Sequence, residues 1–242
     1  MHSDPAKQFT YGALRSQLQS ALDAGYQFLS CKEFIIQSKE NRLPEYTLVN
    51  RIDIDLCCKK AEKLANIFIE LGVQATFFVR LHAPEYNPFD FENYRILKYI
   101  RDAGFEIGYH SEIVDQAAIW EESPDKCLRR DISILNLMLN IDIAGVASHG
   151  GRTGLNNLEF WADHNPDEFG LLYEAYEKEG SFKLFDNSFY ISDSEWVRWK
   201  CYNNGSLVEG DRRNITQHLA DRHKLIYLLI HPDTYYERHI YE

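Results

Sequence analysis

Apolar positions along this chain alternate between a helical rhythm and short extended runs. Leu14, Leu18 and Ala21 or Leu22 recur at helical spacing after Thr10, which predicts a helix closed by Gly25. Residues 26–29 read as a short strand, and 46–55 as a longer one. Ala61, Leu64, Ala65, Phe68 and Leu71 then mark a helical stripe stopped by Gly72. A β-rich run at 74–80 leads into a polar, proline-containing loop at 82–90. Asn93, Ile96, Leu97, Ile100 and Ala103 predict the next helix, ended by Gly104 and followed by a strand at 105–109. Ser123-Pro124 suits the cap and first turn of a helix whose apolar face holds Leu128, Ile132, Leu135 and Leu139. Strands at 143–147, 169–173, 189–191 and 225–230, with a helix near 215–220, continue the pattern.

Short strands separated by amphipathic helices imply an α/β fold with a largely parallel sheet, closed or nearly closed into a barrel. No internal repeat or low-complexity linker divides the chain. The expectation is one domain over 1–242, with 1–45 an N-terminal helix and strand packing on the barrel.

Composition narrows the function. The chain has 242 residues, 45% of them hydrophobic and 14% aromatic, enough for a sizeable core. A formal net charge of -11 leaves no basic stripe to neutralise phosphates, so nucleic acid is not an expected partner. No run approaches the ~20 apolar residues of a membrane span, and the opening lacks a basic segment followed by an apolar one, so the expected compartment is the cytoplasm. The cysteines Cys31, Cys57, Cys58, Cys127 and Cys201 are odd in number and contain no CxxC pair, which fits reduced thiols. Oligomeric state is not legible.

The chemistry concentrates where predicted strands end. Asp53 and Asp55 are two residues apart in an extended run and therefore leave the same face. Two adjacent anions repel, and burial adds to that cost, so the pair points to a cation or a shared proton. His110, His149, Asp193 and His231 also follow strands. In a parallel barrel those ends share one rim. Asp55, His110 and His149 match the donor inventory of a catalytic Zn²⁺ or similar divalent ion. Asp53 is then the candidate base and His231 the candidate acid. Simpler readings stand beside these. A lone histidine is more often a satisfied imidazole, Arg51 could pair with one of the carboxylates and make the cluster an internal ion network, and Cys57 and Cys58 read as ordinary thiols. Trp196, Trp199 and Tyr190 suit either a sugar-stacking wall or packing. His82, past the strand at 74–80, is a further candidate to touch substrate.

In order, Arg51-Ile-Asp-Ile-Asp55, Ala75-Thr-Phe-Phe78, Glu106-Ile-Gly-Tyr-His110 and Leu228-Leu-Ile-His231 resemble motifs of the polysaccharide deacetylase family, the NodB-homology carbohydrate esterases. The likeness runs over most of the chain. It implies a distorted (β/α) barrel and metal-dependent removal of an N- or O-acetyl group from a sugar or glycan intermediate. By position it makes Asp53 the general base, Asp55 and His110 metal ligands, and His231 the general acid. The family's second histidine follows the first by one helical turn, where this chain has Val114 and then Asp115. Either the third ligand comes from elsewhere or the metal site is lost. Val146-Ala-Ser-His-Gly-Gly151 resembles the strand-end His-Gly segment of a divergent branch, which favours His149, with Asp115 as competitor. That branch is also similar at Tyr190-Ile-Ser-Asp193, Trp196 and Trp199, and Arg152 falls near the family's substrate-positioning arginine. Arg152, Asp193 and Trp196 are thus the expected substrate-side residues. The competing expectation is a non-catalytic glycan-binding or assembly protein of the same fold.

Overall fold

The computed structural model describes residues 8–178 and 180–238. Among the described residues, ten strands and the helices between them form one mixed α/β architecture. The strands are β1 (Gln27–Leu29), β2 (Thr47–Ile54), β3 (Thr76–Val79), β4 (Glu106–Ser111), β5 (Gly145–Ser148), β6 (Tyr173–Glu174), β7 (Phe189–Ser192), β8 (Lys200–Asn203), β9 (Ser206–Leu207) and β10 (Leu225–Ile230). The helices are α1 (Tyr11–Asp23), α2 (Cys31–Lys39), α3 (Cys58–Leu71), α4 (Phe91–Asp102), α5 (Ile113–Trp120), α6 (Pro124–Leu139) and α7 (Ile215–His218).

The sheet runs β6-β5-β4-β3-β2-β10-β7-β8-β9. It is parallel from β6 to β7 and antiparallel only through β8 and β9. Parallel pairing needs crossovers, and helices supply them and bury the outer face. On β2, β1 pairs with Thr47 to Val49 and β3 takes over from Arg51, so two short strands share one edge. Among the described residues no ladder joins β6 to β7. There the curled sheet is filled from inside, with Phe182 stacked on Tyr173 at 4.7 Å and set edge-on to Tyr227 of β10 at 5.8 Å.

Two apolar layers result. The larger lies between the helices and the outer sheet face, where α3 contributes Ala61, Leu64, Ala65 and Phe68. Each large side chain so buried contributes about 1.5–3 kcal/mol. The inner layer holds Val49, Phe78, Ala147, Tyr173, Tyr190, Tyr227 and Leu229. Glycines make room for its rings: a Cβ on Gly108 would be driven into the Phe78 ring, and one on Gly145 into Tyr173. With the interior packed, polar side chains collect at the mouth formed by the C-terminal strand ends. No described helix is long and apolar enough to cross a membrane, and all five cysteines are free thiols.

Three local expectations shift. The run at 169–173 is mostly not strand: Asn165-Pro166 caps a 3-10 turn that ends at Phe169, and β6 begins only at Tyr173. Helices α2 and α5 occupy stretches with no predicted element. The Ser30 hydroxyl accepts from the Glu33 N–H while the Glu33 carboxylate accepts from the Ser30 N–H, a capping box that starts α2.

Candidate active site

Arg51, Asp53 and Asp55 leave β2 on its inner face, as the two-residue period requires. Arg51 donates from Nε to Asp53 Oδ1 at 2.8 Å and from Nη2 to Asp53 Oδ2 at 2.7 Å, and both side chains are buried. The guanidinium also lies 4.4 Å from the centre of the Tyr176 ring. Burial alone would raise the pKa of Asp53, but Arg51 and then His110 outweigh it and hold the carboxyl below the usual range. Arg51 thus pairs with one of the two carboxylates, Asp53, while Asp55 faces imidazoles. Asp55 Oδ1 is buried and has no hydrogen-bond partner among the described residues. Burial opposes its charge too, yet three surrounding imidazoles, His110 foremost, keep it well below the ordinary carboxylate range.

His110 ends β4 opposite Ala147, and its Nδ1 lies 2.8 Å from the Ala147 carbonyl oxygen. A carbonyl only accepts, so Nδ1 carries the hydrogen and a neutral ring turns the Nε2 lone pair outward. That lone pair meets Asp55 Oδ1 at 3.2 Å and Asp53 Oδ2 at 3.3 Å. Lone pair against two anionic oxygens is repulsive unless a proton or a metal cation stands between them. Without a metal, a proton serves: burial lowers the His110 pKa, but Asp53 and Asp55 outweigh it and raise it above the normal imidazole value.

His149 enters from the loop after β5. Its Nε2 is 4.0 Å from Asp55 Oδ1, and its ring stands edge-on to His110 at 5.0 Å. Asp55, His110 and His149 each offer one ligand atom, all within 4.8 Å of one another. Glu112 Oε1 lies 3.3 Å from His149 Nδ1 and leaves Nε2 for the centre of the site. Arg80 supports both sides of this arrangement, donating to Glu112 Oε1 at 2.7 Å and to the Asp55 carbonyl at 2.9 Å. Burial would raise Glu112, but His149 and Arg80 bring its pKa down to about 2. A divalent ion held by these donors would be expected to bind about 10–100-fold more weakly with Glu112 replaced by glutamine. Competition with a chromophoric chelator would measure it, and unchanged affinity would remove Glu112 from the site.

Asp115 does not compete as a ligand, because its oxygens are already engaged. They accept from the Arg152 and Thr153 N–H groups, the Thr153 hydroxyl and Asn157 Nδ2, at 2.7–3.0 Å. Asn157 also donates to the His149 carbonyl at 3.0 Å and accepts from the Val114 N–H at 2.9 Å. Val114 and Asp115, through Asn157, thus hold the loop that delivers His149.

Opposite these groups, His231 follows β10 with Nδ1 2.6 Å from Asp193 Oδ1, while its Nε2 is 3.8 Å from Asp55 Oδ2. Burial lowers the His231 pKa, but Asp193 reverses the effect and raises it to about 9. Asp193, expected from sequence at the substrate side, is fully buried and accepts from both the ring and the backbone N–H of His231. It orients His231 and cannot meet a substrate directly. Of the three aromatics considered for a stacking wall, Trp199 is fully buried against Phe9, and Tyr190 is buried beside Tyr176. Trp196 is 41% exposed, with its ring 27° from parallel to His231 at 6.2 Å. Arg152 has an exposed side chain, and its backbone N–H is spent on Asp115. His82 lies 2.9 Å from the buried Asp131 and outside the ligand group. Cys57 and Cys58 join no metal-ligand group among the described residues, and burial pushes the Cys58 thiol up to about 12. Sequence reasoning missed Arg80 and Glu112. Both lie at strand ends, Arg80 just past β3 and Glu112 just past β4, so the rule that found the histidines applied to them as well.

No protein-family model matches the chain, and no curated protein does. Among solved structures it is similar to the Streptococcus pyogenes deacetylase PplD in complex with acetate, at 22% identity over 63% of this chain and 68% of that one, with a TM-score of 0.46. It is also similar to IcaB from Ammonifex degensii, at 14% identity over 68% of this chain and 74% of that one, TM-score 0.47. A third likeness is the BpsB deacetylase domain from Bordetella bronchiseptica, at 13% identity over 66% and 75%, TM-score 0.45. Likeness at this level assigns no activity, so the chemistry has to come from the side chains.

Proposed function

We propose that this chain is a metal-dependent hydrolase that removes an acetyl group from a sugar or glycan intermediate. The observation that carries the reading is the buried Asp55 Oδ1, without a hydrogen-bond partner among the described residues and 3.2 Å from His110 Nε2, with His149 completing the donor set. One carboxylate and two imidazoles fit a borderline divalent ion such as Zn²⁺. When bound, such an ion supplies Lewis acidity that polarises an acyl carbonyl and lowers the pKa of water.

The protein groups divide the proton chemistry. Asp53, held anionic by Arg51, accepts the proton of the attacking water. Protonated His231, steadied at Nδ1 by Asp193, donates from Nε2 to the departing amine or alkoxide. Trp196, exposed beside His231, offers a face for a sugar ring. Acetate release from an acetylated oligosaccharide tests the reading: chelator should abolish it and zinc should restore it. Persistent release in chelator would exclude the metal role.

The acid role fixes the sign of the pH dependence. His231 is protonated below its raised pKa of about 9 and loses the donatable proton above it, so kcat/KM should fall on the alkaline side. Asp193 contributes most to that raised value, so Asp193→Asn should move the alkaline limb to lower pH. A pH–rate profile with an unmoved limb would take the acid role away from His231. A non-catalytic reading rests on Val114 at the position of the family's second histidine, and it requires chelator-insensitive glycan binding without acetate release.

A further inference from the structure

Away from the rim, just before β10, the segment His218-Leu-Ala-Asp221-Arg-His223 gathers a second set of donors. His218, Asp221 and His223 each offer one ligand atom, all within 4.8 Å of one another. Asp221 Oδ2 is 3.6 Å from His218 Nδ1 and 3.7 Å from His223 Nε2. Those spacings are too long for hydrogen bonds, and neither nitrogen has a hydrogen-bond partner among the described residues. His218 is fully buried, so an unsatisfied Nδ1 carries a desolvation penalty. The spacings are close to the ~3.4 Å edge of a tetrahedron built on metal–ligand bonds of ~2.0–2.1 Å.

We propose that His218 Nδ1, Asp221 and His223 Nε2 form a second metal site, taking a borderline divalent ion such as Zn²⁺ that clamps the turn from α7 into β10. Strand β10 is six residues long, about 20 Å at ~3.3 Å per residue. It separates this site from His231, so an ion here is structural and remote from acyl chemistry.

The surroundings hold the donors in place. The His223 ring stacks on Phe189 at 3.9 Å, and its backbone carbonyl accepts from the Tyr26 hydroxyl at 2.6 Å. Burial disfavours the charged form of both imidazoles, lowering His218 to about 4 and lowering His223 as well. Asp221 Oδ2 accepts one hydrogen bond, from Arg213 at 2.8 Å, which leaves a lone pair on that oxygen, unlike the Asp115 carboxylate with its several donors; Arg213 also binds Asp211. On the other side of His218, Nε2 faces Cys201 Sγ at 3.4 Å and Asp211 Oδ1 at 3.5 Å. Nε2 thus already has a partner while Nδ1 has no hydrogen-bond partner among the described residues, which favours the Nδ1 side.

Elemental analysis of zinc-equilibrated, dialysed protein tests this separately from the rim reading. The wild-type chain should hold two zinc ions, and His223→Gln and Asp221→Asn should each hold one, which His110→Ala then removes. In His110→Ala alone, zinc should still raise the thermal midpoint, and adding His223→Gln should cancel the rise. One ion in the wild type, kept in His223→Gln and lost in His110→Ala, would overturn this site and leave the rim intact. One ion lost in His223→Gln and kept in His110→Ala would uphold this site and refute the rim. Because His223 and Asp221 are partly exposed, both variants should keep the wild-type circular dichroism, and unchanged zinc content in both overturns the proposal.

Discussion

Replacing Asp53 with asparagine should lower kcat/KM for acetate release by about 10²–10⁴-fold, the usual worth of a positioned general base. Zinc content should hardly change, because Asp53 oxygens are already committed to Arg51. The substitution keeps shape and removes charge, which leaves the buried Arg51 guanidinium poorly compensated. Breaking a buried ion pair costs about 3–5 kcal/mol, so the rate has to be referred to the folded fraction, measured by circular dichroism on the same sample. A folded, zinc-loaded Asp53→Asn protein with an unaltered rate would show that another group accepts the proton.

Replacing His110 with alanine should remove the rim ion and, with it, acetate release to background. This ring joins the Ala147 carbonyl to Asp53 and Asp55, so its loss takes away a ligand and the contact that fixes the ligand's direction. The coupling also has a pH signature. Because Asp53 and Asp55 raise the His110 pKa, its proton must leave before Nε2 can ligate. Zinc affinity should therefore fall steadily as pH drops below that raised value, with proton release on binding, both measurable by calorimetry in buffers of different ionisation enthalpy. Binding without proton release would place the ion elsewhere.

Much of this site was legible in the sequence because it depends on strand periodicity. Asp53 and Asp55 share a face by the two-residue rule, and His110, His149 and His231 follow runs that do become β4, β5 and β10. Parallel pairing then brings those ends together, and no detail of packing is needed to see it. What stayed hidden depends on partners distant in sequence. Asp193 reads as one more rim acid until β7 and β10 pair and its carboxylate turns under His231. Asp115 looks like a ligand until the loop after β5 folds back to take its oxygens. Other misses were local signals left unread. Asn204-Gly205, with φ of 48° and 73°, has the left-handed turn chemistry of a hairpin, and it joins β8 to β9. Ser30 and Glu33 announce α2 in the same way.

Sheet closure lies between these cases. Alternating strands and helices gave a parallel, curled sheet, but hydrophobic rhythm cannot say whether the last gap is bridged by a ladder or by side chains. Here Tyr176, just past β6, meets Tyr190 of β7, and Phe182 stacks on Tyr173 of β6. The difference leaves the rim unaffected, because β2, β4, β5 and β10 lie on the paired side of the sheet.

A crystal structure of the zinc-loaded protein, with anomalous data collected at the zinc edge, addresses the central claim most directly. The expected result is an anomalous peak about 2.0–2.2 Å from an Asp55 carboxylate oxygen and from Nε2 of both His110 and His149. A fully loaded crystal with no peak among those three side chains, or with His149 outside bonding range of the ion, would contradict it.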